Sequence, residues 1–143
     1  MRFLAIDHGE KRTGLAVGDD QTLVACPVGV ISASSDAEWM RKLGQAIEQH
    51  SPGALVLGLP LNMDGTEGRA SKRARRLASQ LEAHFGLRVH LVDERLTTHL
   101  ADDQLSHRGL TRQAKRTRRD ALAAAAILSD FLESRKTGSA GPG

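Results

Sequence analysis

Three carboxylates stand where an α/β chain concentrates its chemistry. Asp7 ends the apolar run Phe3-Leu4-Ala5-Ile6, Glu94 follows Leu91-Val92 with Asp93 beside it, and Asp120 opens the apolar stretch Ala121–Leu128. Open α/β sheets form their sites at the carboxyl ends of strands, where the first two fall. Asp120 shares a helical stripe with Ala124, Ile127 and Phe131, so packing that stripe on a sheet directs Asp120 toward the sheet's end. Like charges brought together repel and need a cation, and an oxygen-only donor set suits Mg²⁺ or Mn²⁺. Taken singly, each acid has a plainer role: a turn former, a surface helix residue, an N-cap.

The charge distribution adds to the case. The 143 residues carry 20 Lys and Arg against 17 Asp and Glu, a net charge of +3. Residues 69–76 hold five of the basic side chains and residues 108–119 six, with no acid in either segment. The remaining 123 residues are therefore acidic overall, with nine basic against 17 acidic side chains. Two concentrated basic segments on an acidic body point to a polyanion held at a defined place.

Other chemistries are excluded or weak. One cysteine, Cys26, cannot form an intrachain disulfide or a zinc finger. The six histidines lack metal-ligand spacing, and no Gly-x-x-x-x-Gly-Lys-Ser/Thr loop is present. His8, next to Asp7, is a weaker candidate for positioning water. With four aromatic residues and no tyrosine, the composition argues against a platform that stacks unpaired bases. No apolar run approaches the roughly 20 residues of a membrane span, and Asp7 interrupts any leader, so a cytoplasmic protein is expected.

The elements that must position these residues follow from pattern. Strands are expected at Arg2–Ile6, Thr13–Val17, about Leu23–Ile31, Ala54–Gly58 and Arg88–Val92, and Pro27 marks the third as irregular or at an edge. Helices are expected from Ser35-Asp36 to about Gln49, over Arg69–Phe85 closed by Gly86, from Asp93-Glu94-Arg95 to about His107, and from Arg119-Asp120 to about Ser134. On the second helix, Ala70, Ala74, Leu77, Ala78 and Leu81 form an apolar stripe and Arg69, Lys72, Arg73 and Arg76 a basic one. The first three strands are too closely spaced for helical crossovers and should pair antiparallel, giving an α/β fold with a mixed sheet. One domain over 1–135 and a disordered tail over 136–143 are expected. Ser106–Arg119, basic and with little to bury, is expected to be mobile until nucleic acid binds.

The loop Gly58–Gly68 leads into the basic helix and offers backbone N–H groups and the Asn62 amide to a phosphate. Lys11, Arg12 and Arg95, next in sequence to the acidic positions, join Arg69, Lys72, Arg73, Arg76, Arg112, Lys115, Arg116, Arg118 and Arg119 as candidate nucleic-acid contacts.

AIDHGEKRTGLAVGD (5–19), VLGLPLNMDGTEG (56–68), VDERLTT (92–98) and DALAAAAIL (120–128) resemble the YqgF/RuvX-type proteins, bacterial pre-16S rRNA nucleases also described as Holliday junction resolvases. The resemblance spans residues 2 to about 133. It implies a ribonuclease H-like fold with a five-stranded mixed sheet flanked by helices. It further implies metal-dependent phosphodiester hydrolysis in 5′-end processing of the 16S rRNA precursor, with Asp7, Glu94 and Asp120 as catalytic and metal-binding acids. Resolvases of related fold often carry a fourth acid three residues after the last; Ala123 stands there. That departure favours structured RNA over DNA junctions as substrate. A resolvase-type DNA endonuclease and a non-catalytic nucleic-acid-binding module are the alternatives.

Overall fold

The computed structural model describes residues 1–9, 11–62, 64–93 and 112–137, and of residues 112–120 and 136–137 the backbone course alone. The elements run β1 (Arg2–His8), β2 (Thr13–Asp19), β3 (Ala25–Ile31), α1 (Asp36–His50), β4 (Ala54–Leu59), α2 (Arg69–Phe85), β5 (Val89–Asp93) and α3 (Arg112–Thr137). The five strands form one sheet in the order β3-β2-β1-β4-β5. β1 is the central strand, as its unbroken apolar run requires: Phe3, Leu4, Ala5 and Ile6 are all fully buried. It pairs antiparallel with β2 and parallel with β4, so the sheet is mixed.

Each face of the sheet carries its own core. Phe3, Ala5, Ala16, Ala54 and Val56 pack beneath α3 through Ala124, Ile127, Leu128, Phe131 and Leu132. Leu4, Ile6, Leu15, Leu55, Leu57 and Leu59 pack on the other face against Leu43 of α1 and Ala74, Ala78 and Leu81 of α2. The alternation along β1 thus assigns odd residues to the α3 side and even residues to the α1/α2 side.

α3 lies close to β2 because position 18 has no side chain. A Cβ there would stand 2.7 Å from the Val24 carbonyl oxygen, 2.9 Å from Leu128 Cδ2 and 3.1 Å from Leu132 Cδ1. Gly18→Ala is therefore expected to destabilise the fold by about 1–3 kcal/mol, the usual cost of overpacking a tight core. Chemical denaturation measures it; an unchanged midpoint would contradict this close packing.

β3 is the edge strand that Pro27 implied, and its pairing shifts between Leu15 and Ala16, the partners of Gly29 and Pro27. Ser35 caps α1 as expected, its Oγ accepting the Glu38 N–H at 3.1 Å. Lys42 and Ser34 in turn hold the Glu38 carboxyl down at about 2. Gly86 closes α2, donating its N–H to the Glu82 carbonyl.

Several boundaries differ from expectation. β2 runs on to Asp19, β3 starts at Ala25, and β5 is shifted by one residue. Ala70 is exposed, and Ser71 takes the buried place at the start of the α2 stripe, its hydroxyl donating to the Gly68 carbonyl at 2.9 Å. Residues 112–119 continue α3 rather than forming an unstructured segment. Gln113, Ala114, Lys115 and Arg116 are good helix formers, and they extend a helix already nucleated by its buried second half. α3 also extends to Thr137, into the expected tail. The expected helix over 94–107, residues 106–111 and the rest of the tail lie outside the described residues. Among the described residues no helix is long and apolar enough to cross a membrane.

Candidate active site and nucleic-acid interface

Asp7 is the penultimate residue of the central strand and half-buried. By the alternation of β1 it lies on the α3 side, following Phe3 and Ala5. Its partner on β2 is Gly14. On β4, Gly58 follows Leu57, the partner of Ile6, and so stands beside Asp7. Two residues without side chains therefore flank this carboxylate on the α3 face. The turn beyond it is tight: the Gly9 N–H donates to the Arg12 carbonyl at 3.0 Å, and a Cβ at position 9 would meet that oxygen at 2.6 Å.

Asp93 belongs to the opposite face. Val89 and Leu91 pack on the α1/α2 core and Val92 on the α3 core, so Asp93 alternates onto the α1/α2 side. It pairs with Leu59, two strands away from Asp7. Glu94 and Arg95 lie outside the described residues. Asp120 stands on α3 one turn before fully buried Ala124, and Ile127 and Phe131 of the expected stripe are buried as well. Among the described residues no three acids, histidines or cysteines come together.

The basic residues of α2 sort into two groups. Arg75 is bound to Glu67, with Nε donating to Oε1 at 2.6 Å. Arg69, Lys72, Arg73 and Arg76 are exposed along one side of the helix and make no ion pair with a described residue. The preceding loop is braced by its own polar groups. Asn62 Nδ2 donates to Thr66 Oγ1 at 3.0 Å, and Thr66 donates through N and Oγ1 to Asp64 Oδ1. Asn62 thus helps shape the entry to α2, whose N-cap residue, Gly68, supplies no side-chain cap. Lys11 is exposed and Arg12 half-buried just past the β1 end. Arg112, Lys115, Arg116, Arg118 and Arg119 fall within the first turns of α3.

Replacing Arg73 and Arg76 together by Ala is expected to weaken nucleic-acid binding. The salt dependence of log K should flatten by about one unit per lost phosphate contact, with the chemical step on saturated protein little changed. A titration series in salt checks this, and an unchanged slope would remove the pair from the interface.

A groove of about 790 Å³ lies between α1 and α2, bordered by His8, Asp36, Trp39, Arg73, Arg76 and Gln80 among others. Composition gave no sign of it, because its walls come from three distant segments. Trp39 is fixed there: its Nε1 donates to the buried Thr13 hydroxyl at 2.9 Å, and the His8 ring meets it edge-on at 5.2 Å. Burial holds the His8 imidazole below its ordinary value; Asp36 opposes that shift and Arg73 reinforces it. His8 therefore belongs to this groove, on the face of the sheet opposite Asp7.

Comparison with known proteins places the chain. The family model described as RuvX, Holliday junction resolvase, matches residues 1–134. A protein of Anaeromyxobacter sp. (strain K), named as a pre-16S rRNA nuclease, is 41% identical over 135 residues, 94% of this chain and 98% of its own. One of Bordetella pertussis with the same name is 41% identical over 131 residues, 92% of each chain. Among solved structures, Thermus thermophilus RuvC in complex with a Holliday junction superposes with a TM-score of 0.58 at 16% identity, covering 96% of each chain. The fowlpox virus resolvase with its junction DNA gives 0.58 at 12% identity, covering 94% of this chain and 98% of that one. These neighbours share the ribonuclease H-like fold, which the five-stranded mixed sheet and its helices reproduce. With a family model covering nearly its whole length and relatives this similar, the chain belongs to the RuvX family.

Proposed function

We propose that the protein hydrolyses phosphodiester bonds of structured RNA, in 5′-end maturation of the 16S rRNA precursor in the cytoplasm, using Mg²⁺ or Mn²⁺ held by Asp7, Glu94 and Asp120. The observation that carries this reading is the Asp7 carboxylate at the carboxyl edge of the central strand, flanked by Gly14 and Gly58 on the α3 face. An all-oxygen donor beside two positions without side chains fits a hard divalent cation and an approaching phosphate.

The placement of α3 supports the third acid. Phe131 packs on Phe3, with ring centroids 5.1 Å apart, at the start of β1. From Phe3 to Asp7 the strand rises about 13 Å. From Phe131 back to Asp120 the helix covers about 16 Å. Running opposite to β1, α3 would bring Asp120 level with the end that bears Asp7. Asp93 faces away from this site, which leaves Glu94, the next residue in sequence, as the remaining acid of this reading.

In this reading Asp7, Glu94 and Asp120 would hold the ion at the carboxyl edge of the sheet, beside the scissile phosphodiester. When bound, the ion supplies a more acidic water and charge for the leaving oxygen. Arg73, Arg76 and the basic start of α3 hold the backbone on either side. Arg112 lies about 12 Å further along the helix than Asp120, so this basic stretch would extend the interface past the sheet.

The RNA assignment follows the names of the relatives and Ala123, which leaves no fourth acid one turn after Asp120. The test is a cleavage assay with Mg²⁺ on a fragment spanning the 5′ end of precursor 16S rRNA, beside a four-way DNA junction. Faster cleavage of the RNA is expected. Cleavage of the junction alone would transfer the site to DNA, and turnover of neither would leave a binding module.

A further inference from the structure

We propose that the groove between α1 and α2 is a subsite for one unpaired nucleotide of the bound strand, its base against Trp39 and Met40 and its phosphate on Arg73 and Arg76. The inference rests on the nucleic-acid reading above and adds to it a place where a base is read. The groove's volume, about 790 Å³, lies in the range of about 300–1,000 Å³ typical of small-molecule sites.

Its walls match the parts of a nucleotide. α1 contributes the Trp39 indole and the Met40 side chain, an apolar and polarisable surface. The indole is anchored through its Nε1 to Thr13, so little ordering is needed when a base arrives. α2 contributes Arg73 and Arg76, both exposed and without an ion-pair partner among the described residues. Asp36 and Gln80 also border the groove. A carboxylate repels phosphate but accepts hydrogen bonds from an exocyclic amino group, which adenine, guanine and cytosine carry and uracil lacks. The proposal therefore assigns the amino-bearing base edge to Asp36 on α1 and the phosphate to the arginines on α2.

Location ties the groove to the reaction. His8, on its border, is the residue after Asp7 and lies about 3.3 Å further along β1 on the opposite face. A strand crossing the carboxyl edge of the sheet would present a phosphodiester to Asp7 while a nearby nucleotide enters the groove. A paired base cannot make that excursion, so the occupant is single-stranded.

Trp39 is the only tryptophan of the chain, so its emission reports the groove without reference to turnover. The experiment titrates the Asp7→Asn protein with a short mixed-sequence single-stranded oligoribonucleotide and with a strand of equal length made abasic. The intact strand is expected to change Trp39 emission and to bind at least about tenfold more tightly than the abasic one, the effect of stacking a base on an aromatic wall. Ala83→Leu, at an exposed α2 position bordering the groove, should reduce that advantage by narrowing it. Equal affinities with unmoved emission would overturn the groove subsite while leaving phosphate binding by the arginines intact. Binding of neither strand while the structured precursor fragment still binds would overturn the subsite alone, and no binding of that fragment either would overturn the nucleic-acid reading itself. Adenosine monophosphate producing the full emission change at lower concentration than the strand would assign the groove to a free nucleotide and overturn the strand subsite.

Discussion

Asp7→Asn is expected to lower turnover by roughly 10²-fold or more, because charge developing on the leaving oxygen loses its stabilisation when an ion is displaced. Nucleic-acid affinity should stay the same or rise, since a negative charge near phosphates has gone. Glu94→Gln and Asp120→Asn should behave alike. The informative control is Asp93→Asn, adjacent to Glu94 in sequence and of the same chemistry. Asp93 alternates onto the α1/α2 face, two strands from Asp7, so its loss should leave single-turnover cleavage near the wild-type rate. A large defect in Asp93→Asn with a mild one in Glu94→Gln would exchange the two residues' roles. Near-normal turnover in all of the Asp7, Glu94 and Asp120 variants would dissolve the site.

Chelation is the second large effect. Turnover should vanish in EDTA and return on adding Mg²⁺ or Mn²⁺, while binding of nucleic acid through the arginines persists. Ca²⁺ should occupy the same acids but support cleavage poorly, because its larger and more variable coordination places water less well. Measuring binding and cleavage on the same preparation separates the two requirements. Full cleavage in EDTA would exclude a metal at these carboxylates.

What could be read from the sequence was whatever depends on near neighbours. The unbroken apolar run Phe3–Ile6 identified the central strand, Pro27 the edge, Ser35 and Gly86 the ends of their helices, because each acts through its own backbone or through burial on both faces. Spacing also grouped the exposed arginines of α2 correctly, though not the pairing of Arg75 with Glu67, eight residues away. The start of α3 was hidden by its charge: residues with nothing to bury looked unstructured, whereas a helix anchored downstream carries them along. Ala70 and Ser71 exchanged places because a hydroxyl can be buried once it bonds the Gly68 carbonyl. The groove beside Trp39 was illegible in principle. Residues 8, 36–40 and 73–84 meet only through the sheet order, and a count of four aromatics says nothing about where one of them stands.

Asp7 and His8 are consecutive residues that serve opposite faces of one strand. Their assignment depends on the phase of β1 against its neighbours, fixed by Leu4 opposite Leu55 and Ile6 opposite Leu57. Deleting a single residue between Phe3 and Ile6 would transpose the two. The carboxylate would then open toward Trp39 and the imidazole toward α3, with every atom of both side chains still present. Such a protein would differ by one residue and lose both proposed sites in one step. The two faces can therefore diversify through substitutions, but insertions and deletions in this strand are closed to them as a route of change.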